Sequence, residues 1–231
     1  MRVLSVTHGP SVPGGVFDEV VETAGHRLER WSVPEDHTPD PARDYDAVMV
    51  FGGSMHPDQD DHFAWLEREE EFLKDVLAER VPVFGVCLGA QMLARAAGAT
   101  VGPASAPEVG WLGVELTTAG RNDPVLGVLP PRATVFLWHH YTFEIPDGGV
   151  KLAESDVCPQ AFRLEPPAWG IQFHAEVTLP MLTAWASELP EDLPTTAEAF
   201  VAASQVEIEP SNAQGRALCS AFLREAAAGI H

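Results

Sequence analysis

The sequence predicts an α/β protein, with an open, mostly parallel sheet, helices on both faces and a β-rich C-terminal half. Three observations lead there. Residues 3–6, 47–51 and 81–86 are short apolar runs bounded by Gly, Pro or Asp, as strands buried on both faces should be. Two stretches with helical spacing separate them, and the resulting order β-α-β-α-β calls for parallel strands joined by crossover helices. Beyond residue 100 the pattern changes to strand candidates separated by Pro, Gly and Asp turns.

Taken in order, the first strand (3–6) is followed by a helical pattern over 16–30 and a strand over 47–51. A helix over 64–80 comes next, with Trp65, Leu66, Phe72, Leu73, Val76 and Leu77 recurring close to helical spacing among charged residues. The strand over 81–86 runs into a helix over 88–97, ended by Gly98. Strands are then predicted over 111–116, 134–138, 150–153 and 168–173, a loop over 190–196 and a closing helix over 213–228. There is no internal repeat or linker-like tract. Residues 1–231 are expected to form one domain, since this length buries one sizeable core.

Composition narrows the function. Hydrophobic residues make up 45% and charged residues 21%, the balance of an ordinary globular protein. No run approaches the roughly 20 apolar residues of a membrane span. The N-terminus lacks the apolar core of a secretory signal, so a cytoplasmic location is expected. A net charge of −20 argues against a nucleic-acid partner, because such binders display a basic face. An uncharged or zwitterionic small substrate fits better. Three scattered cysteines exclude a disulfide framework and lack zinc-site spacing. No metal and no cofactor are expected, and no phosphate-binding loop is present.

Of the three thiols, Cys87 has a distinctive setting. A buried strand ends one residue before it and a helix starts just after it, so it sits at the carboxyl end of a strand, beside a helix N-terminus that favours thiolate. Gly85 and Gly89 allow the sharp turn and close approach of such an elbow. Cys158, in a β-rich loop, and Cys219, on an apolar helix face, lack this context and read as structural. A thiolate nucleophile needs a base, and His174, at the end of the last strong strand, supplies one. Glu176, two residues on, can orient its ring if the backbone turns there. Gly52 and Gly53 close another strand, where backbone N–H groups can face the same crevice. The amide of Leu88 would be the second oxyanion donor. His8, His139 and His140 could line the crevice.

These residues resemble a known family. Gly85-Val-Cys-Leu-Gly-Ala-Gln91 is similar to the nucleophile motif of class I (triad) glutamine amidotransferases, Phe173-His-Ala-Glu-Val177 to their second motif, and Phe51-Gly-Gly-Ser54 to their oxyanion strand. The similarity runs from His8 to about residue 185 and is strongest to the stand-alone GMP-synthase-like subgroup. It implies a flavodoxin-like sheet and a Cys87-His174-Glu176 triad that hydrolyses the glutamine side-chain amide through a γ-glutamyl thioester, releasing ammonia. It also implies Gly53 and Leu88 as oxyanion donors, and substrate contacts at Gly52, Gln91, His139, His140 and Tyr141. Ser54 and Ala175 stand where the family usually has Pro. Tyr141 stands where an acid, able to hold the substrate α-ammonium group, is common.

That last departure keeps a second substrate class open, a larger γ-glutamyl amide cleaved by a peptidase or hydrolase with the same triad. A non-catalytic binding homologue is the third alternative. No synthetase domain lies within the 231 residues, so the expectation is either that a separate synthetase chain binds this one or that the protein acts alone.

Overall fold

The computed structural model describes residues 1–35, 39–165, 167–189 and 195–229. Nine strands form one mixed sheet: β1 (Arg2–Thr7), β2 (Arg27–Ser32), β3 (Ala47–Val50), β4 (Val83–Val86), β5 (Val101–Leu116), β6 (Arg132–Phe143), β7 (Val150–Glu154), β8 (Pro159–Leu164) and β9 (Ala168–Ile171). Their order is β2-β1-β3-β4-β9-β8-β7-β5-β6. The first five run parallel in the flavodoxin-like order, and β8, β7, β5 and β6 extend the sheet by antiparallel pairing.

Helices cover both faces of the parallel part. α1 (Gly15–Thr23) and α6 (Ala197–Ala228) lie on one, where Phe17 and Phe222 pack on Met49, Phe84 and Trp169. α2 (Trp65–Ala78) and α3 (Leu88–Ala96) lie on the other, where Leu66, Leu73 and Leu93 meet Leu4, Val48 and Val83. Every residue of β3, β4 and β9 is buried, which is why those strands read as unbroken apolar runs. Each fully buried Phe or Leu contributes about 1.5–3 kcal/mol of burial. The short α4 (Thr118–Arg121) precedes β6, and α5 (Leu179–Trp185) follows the site strand. No described helix is long and apolar enough to cross a membrane.

Four sequence expectations differ from the structure. The helix expected over 16–30 stops at Thr23, Gly25 adopts φ 76°, and the rest is the edge strand β2. Arg27, Glu29 and Arg30 hide the strand period there, and such charges are what an edge strand carries to avoid further pairing. β5 starts ten residues before the expected 111, because Gly102, Pro103 and Pro107 read as turn residues but lie around a register shift between Pro103 and Glu108. β8 was not predicted as a strand. The closing helix begins at Ala197, not 213, since Pro210 reads as a breaker but is carried inside the helix. Of the loop expected over 190–196, residues 190–194 lie outside the described residues, and Thr196 caps α6 by accepting from the Ala199 N–H.

α6 also touches the site segment. A Cβ on Gly215 would stand 2.0 Å from the Ala175 carbonyl oxygen, a backbone atom that cannot swing away. Gly215→Val is therefore expected to push α6 off the sheet, costing about 2–3 kcal/mol in denaturant titration. It should also impair the site, because Ala175 joins His174 to Glu176.

Candidate active site

β4 and β9 are the fourth and fifth of nine strands, and their parallel register pairs Val86 with Ile171. Whatever follows each strand therefore emerges at the same sheet edge. Cys87 comes immediately after β4, tied by its N–H to the Ile171 carbonyl at 2.8 Å. His174 follows β9, its N–H bonded to the Phe136 carbonyl on β6 at 2.8 Å. Parallel pairing brings together two residues 87 positions apart in sequence.

The turn at Cys87 is strained. Its φ of 53° and ψ of −111° are values that L side chains rarely adopt, and they lift the thiol clear of the strand as α3 begins. Two glycines make this possible. A Cβ on Gly89 would lie 2.2 Å from the Val50 carbonyl oxygen, and one on Gly85 would lie 2.7 Å from the Gly89 carbonyl oxygen. Helix and strands approach more closely than any side chain allows.

His174 is buried, and its Nδ1 meets Glu176 Oε1 at 2.7 Å. The Cys87 thiol lies 3.9 Å from the Trp138 carbonyl oxygen, near enough to the imidazole to act on its charge. Burial alone would depress the imidazole pKa. Glu176 foremost, then Cys87, outweigh burial and hold it up at about 10. The rings of Phe136 and Trp185 flank the imidazole. A Cβ at position 52 would come within 2.8 Å of His174 Cε1, so Gly52 is the residue that lets histidine and cysteine close up. Glu176 is held by its backbone as well, its carbonyl accepting from the Val16 N–H at 2.9 Å. A Cβ on Gly15, which adopts φ 50°, would reach that same carbonyl at 1.9 Å.

A crevice of about 350 Å³ opens over these groups, large enough for a small ligand. Gly53, Leu88, Gln91, His139, His140 and Tyr141 line it with Cys87 and His174, whereas Gly52 is absent from its lining. Among the described residues, the N–H groups of Gly53 and Leu88 donate to no protein acceptor, as an oxyanion hole requires. Gln91 spends both amide hydrogens on the Tyr141 carbonyl (2.9 Å) and Gln172 Oε1 (3.1 Å). Only its Oε1 is left to meet a ligand. Tyr141 stacks on His56 with ring centroids 4.0 Å apart and donates to Asp58, so a carboxylate stands beside the position where the sequence lacks one.

His139, in the crevice wall, is buried, with Nδ1 on the Tyr141 carbonyl at 3.0 Å and Nε2 3.2 Å from Glu108. Glu108 also accepts from Gln160 at 2.8 Å, Ser155 at 3.1 Å and the Cys158 thiol at 3.5 Å. Glu108, His139 and Cys158 place one donor atom each within 4.8 Å of one another. Burial, and then Glu108, push the Cys158 thiol up to about 11, and Glu108 gathers the hydrogen bonds of the Ser155, Cys158 and Gln160 side chains. Cys219 is buried with its thiol 3.6 Å from the Phe17 carbonyl, and burial raises its pKa. Both thiols lack the exposure and electropositive setting of a reactive cysteine.

Sequence reasoning missed Glu69. It lies buried under the crevice, with Oε2 2.9 Å from His8 Nε2. The signal was available: Leu66, Glu69, Phe72, Leu73 and Val76 form one inward stripe of α2, and an acid in an apolar stripe needs a partner. His56, Met55 and Trp185 also line the crevice without having been singled out.

Fold and crevice together define an α/β protein with a cysteine and a histidine side by side at the carboxyl ends of its central strands. The chain belongs to the class I glutamine amidotransferase family, whose family model matches residues 17–183. It is 29% identical over 185 residues to the glutamine amidotransferase-like protein YfeJ of Salmonella typhimurium, covering 78% of this chain and 77% of that protein. It is 33% identical over 149 residues to one subunit of the glutamine-hydrolyzing GMP synthase of Haloarcula marismortui, covering 63% of this chain and 72% of that one. Among solved structures, a glutamine amidotransferase from Thermotoga maritima superposes with a TM-score of 0.87 at 26% identity, covering 96% of this chain and 98% of the other.

Proposed function

We propose that this chain hydrolyses the side-chain amide of glutamine through a γ-glutamyl thioester on Cys87. The observation that carries this reading is His174, hydrogen-bonded to Glu176 at 2.7 Å and lining the same crevice as Cys87. The Cys87 sulfur attacks the amide carbon, and the carbonyl oxygen becomes an oxyanion facing the N–H groups of Gly53 and Leu88. His174 holds the thiol proton and delivers it to the departing nitrogen, so the C–N bond breaks and ammonia leaves. Water then gives a proton to His174 and attacks the thioester carbon. Glutamate is released and Cys87 recovers its proton. Glu176 keeps Nδ1 of the imidazole occupied throughout, so the other nitrogen serves the thiol.

A relative is named as part of a glutamine-hydrolyzing synthase. By analogy, the ammonia acceptor of this chain would be bound by a separate synthetase chain. A second reading rests on Tyr141 and His56, whose stacked rings form an aromatic shelf that suits a larger γ-glutamyl amide. Release of glutamate and ammonia from glutamine, and of amine from a γ-glutamyl amine, separates the two with no partner added. Turnover of glutamine supports the glutaminase, turnover of the γ-glutamyl amine alone supports the hydrolase, and a chain inert on both in the presence of a synthetase partner as well would refute the proposal.

A further inference from the structure

We infer that His8 and Glu69 form a buried positioning pair that sets the oxyanion-binding N–H of Gly53. This inference rests on the amide-hydrolysis reading above. His8 follows β1 and Glu69 lies on the inner face of α2, so neither belongs to the strands that carry Cys87 and His174. Both side chains are fully shielded from solvent. The His8 ring is fixed from three sides: Nδ1 lies 2.9 Å from the Gly52 carbonyl oxygen, Nε2 lies 2.9 Å from Glu69 Oε2, and Trp65 stacks on its face with centroids 5.5 Å apart.

A carbonyl can only accept, so Nδ1 must carry a hydrogen. Burial, the largest single influence, would strip a proton from the ring, but Glu69 together with the backbone bonds at Gly52 and Phe51 outweighs it and favours a proton on Nε2 as well. The charged pair costs desolvation, and such pairs are poor contributors to stability unless they fix a geometry. The geometry fixed here is that of one peptide unit. The Gly52 carbonyl and the Gly53 N–H lie on opposite edges of the same planar group, so holding the carbonyl toward His8 turns the N–H away from it. Gly53 itself lines the crevice, and that N–H has no protein acceptor among the described residues. Two successive glycines would otherwise let this peptide rotate readily. The root of the His8 side chain packs against the same loop, since a Cβ on Gly53 would stand 3.0 Å from His8 Cβ.

The role is one of positioning, since His8 acts on the reacting oxygen only through the Gly52–Gly53 peptide. His8→Phe keeps a ring against Trp65 but loses the donor. His8→Asn restores an N–H near the Nδ1 position. Turnover of glutamine and of a γ-glutamyl amine, alkylation of Cys87 by iodoacetamide and thermal unfolding would be measured for wild type, both His8 variants and Glu69→Gln. Alkylation builds no oxyanion, so it reports the thiol and crevice alone.

The expected result is a fall in kcat of about 100-fold for His8→Phe and about tenfold for Glu69→Gln, with KM within about threefold of wild type. His8→Asn should recover to within about tenfold of wild type, and alkylation rates should stay within about twofold throughout. Alkylation slowed in parallel with turnover, or unchanged kcat in an active wild-type background, would overturn the inference. A wild-type chain inert on both substrates, alone and with a synthetase partner, would remove the underlying reading and this inference together.

Discussion

Cys87→Ala is expected to lower kcat/KM for amide hydrolysis by about 10⁴-fold or more, because Cys87 is the one thiol among the described residues that lines the crevice and the proposed oxyanion donors cannot replace a covalent step. Cys158 and Cys219 are buried thiols whose pKa values are raised, so neither substitutes for it. Rates of glutamate release, measured on protein that retains its wild-type circular dichroism, check this. Stability separates the chemical role from the backbone role. The positive φ of Cys87 strains Cys and Ala alike, whereas Gly adopts it freely. Cys87→Gly should be as inactive as Cys87→Ala yet more stable by about 1–2 kcal/mol in denaturant titration. Equal stability of the two variants would show that the elbow stores no strain.

Glu176→Gln is expected to reduce kcat by about 10²–10³-fold, since a neutral amide stabilises the imidazolium less and can turn its NH2 toward Nδ1, favouring the wrong ring tautomer. It also predicts a pH signature. The His174 pKa is raised above its ordinary 6.5 to about 10, with Glu176 foremost among the groups raising it. A group whose folded pKa is raised stabilises fully below its unfolded pKa, and that contribution is lost as pH rises through the folded value. The stability difference between wild type and Glu176→Gln should therefore be greatest below about pH 6.5 and shrink toward pH 10. Paired thermal unfolding curves across that range measure it. A difference that grew with pH would contradict an imidazolium paired with this carboxylate.

Much of the site was legible in the sequence because local chemistry marks it. Cys87 stands between a strand and a helix with glycines on both sides, and the Phe-His-Ala-Glu stretch follows the last strong strand. Gln91 and Tyr141 were legible as positions but not as contacts. Their bonds, from Gln91 to the Tyr141 carbonyl and from Tyr141 to Asp58, join segments 50 and 83 residues apart. No local spacing encodes such pairs.

The fold shows the same division. Apolar runs such as 47–51 and 81–86 announce buried parallel strands, because both faces of each strand meet helices and every position must be apolar. β2 is an edge strand, so its outer side tolerates Arg27 and Arg30 and its period disappears. α6 runs through Pro210, and the helix persists because Phe200, Ile208, Leu218 and Phe222 are buried along it.

By itself, the sequence determined the parallel α/β architecture and the residue types of the site, since hydrophobic period and turn chemistry are local properties of the chain. Tertiary structure alone decided which atoms meet. The Val86–Ile171 register puts cysteine beside histidine, Gly15 and Gly215 clamp the His174–Glu176 segment from two helices, and Glu69 reaches His8 across 61 residues. Those contacts depend on angstrom-scale packing between elements distant in sequence, where the absence of one Cβ or the partner of one buried charge settles the geometry.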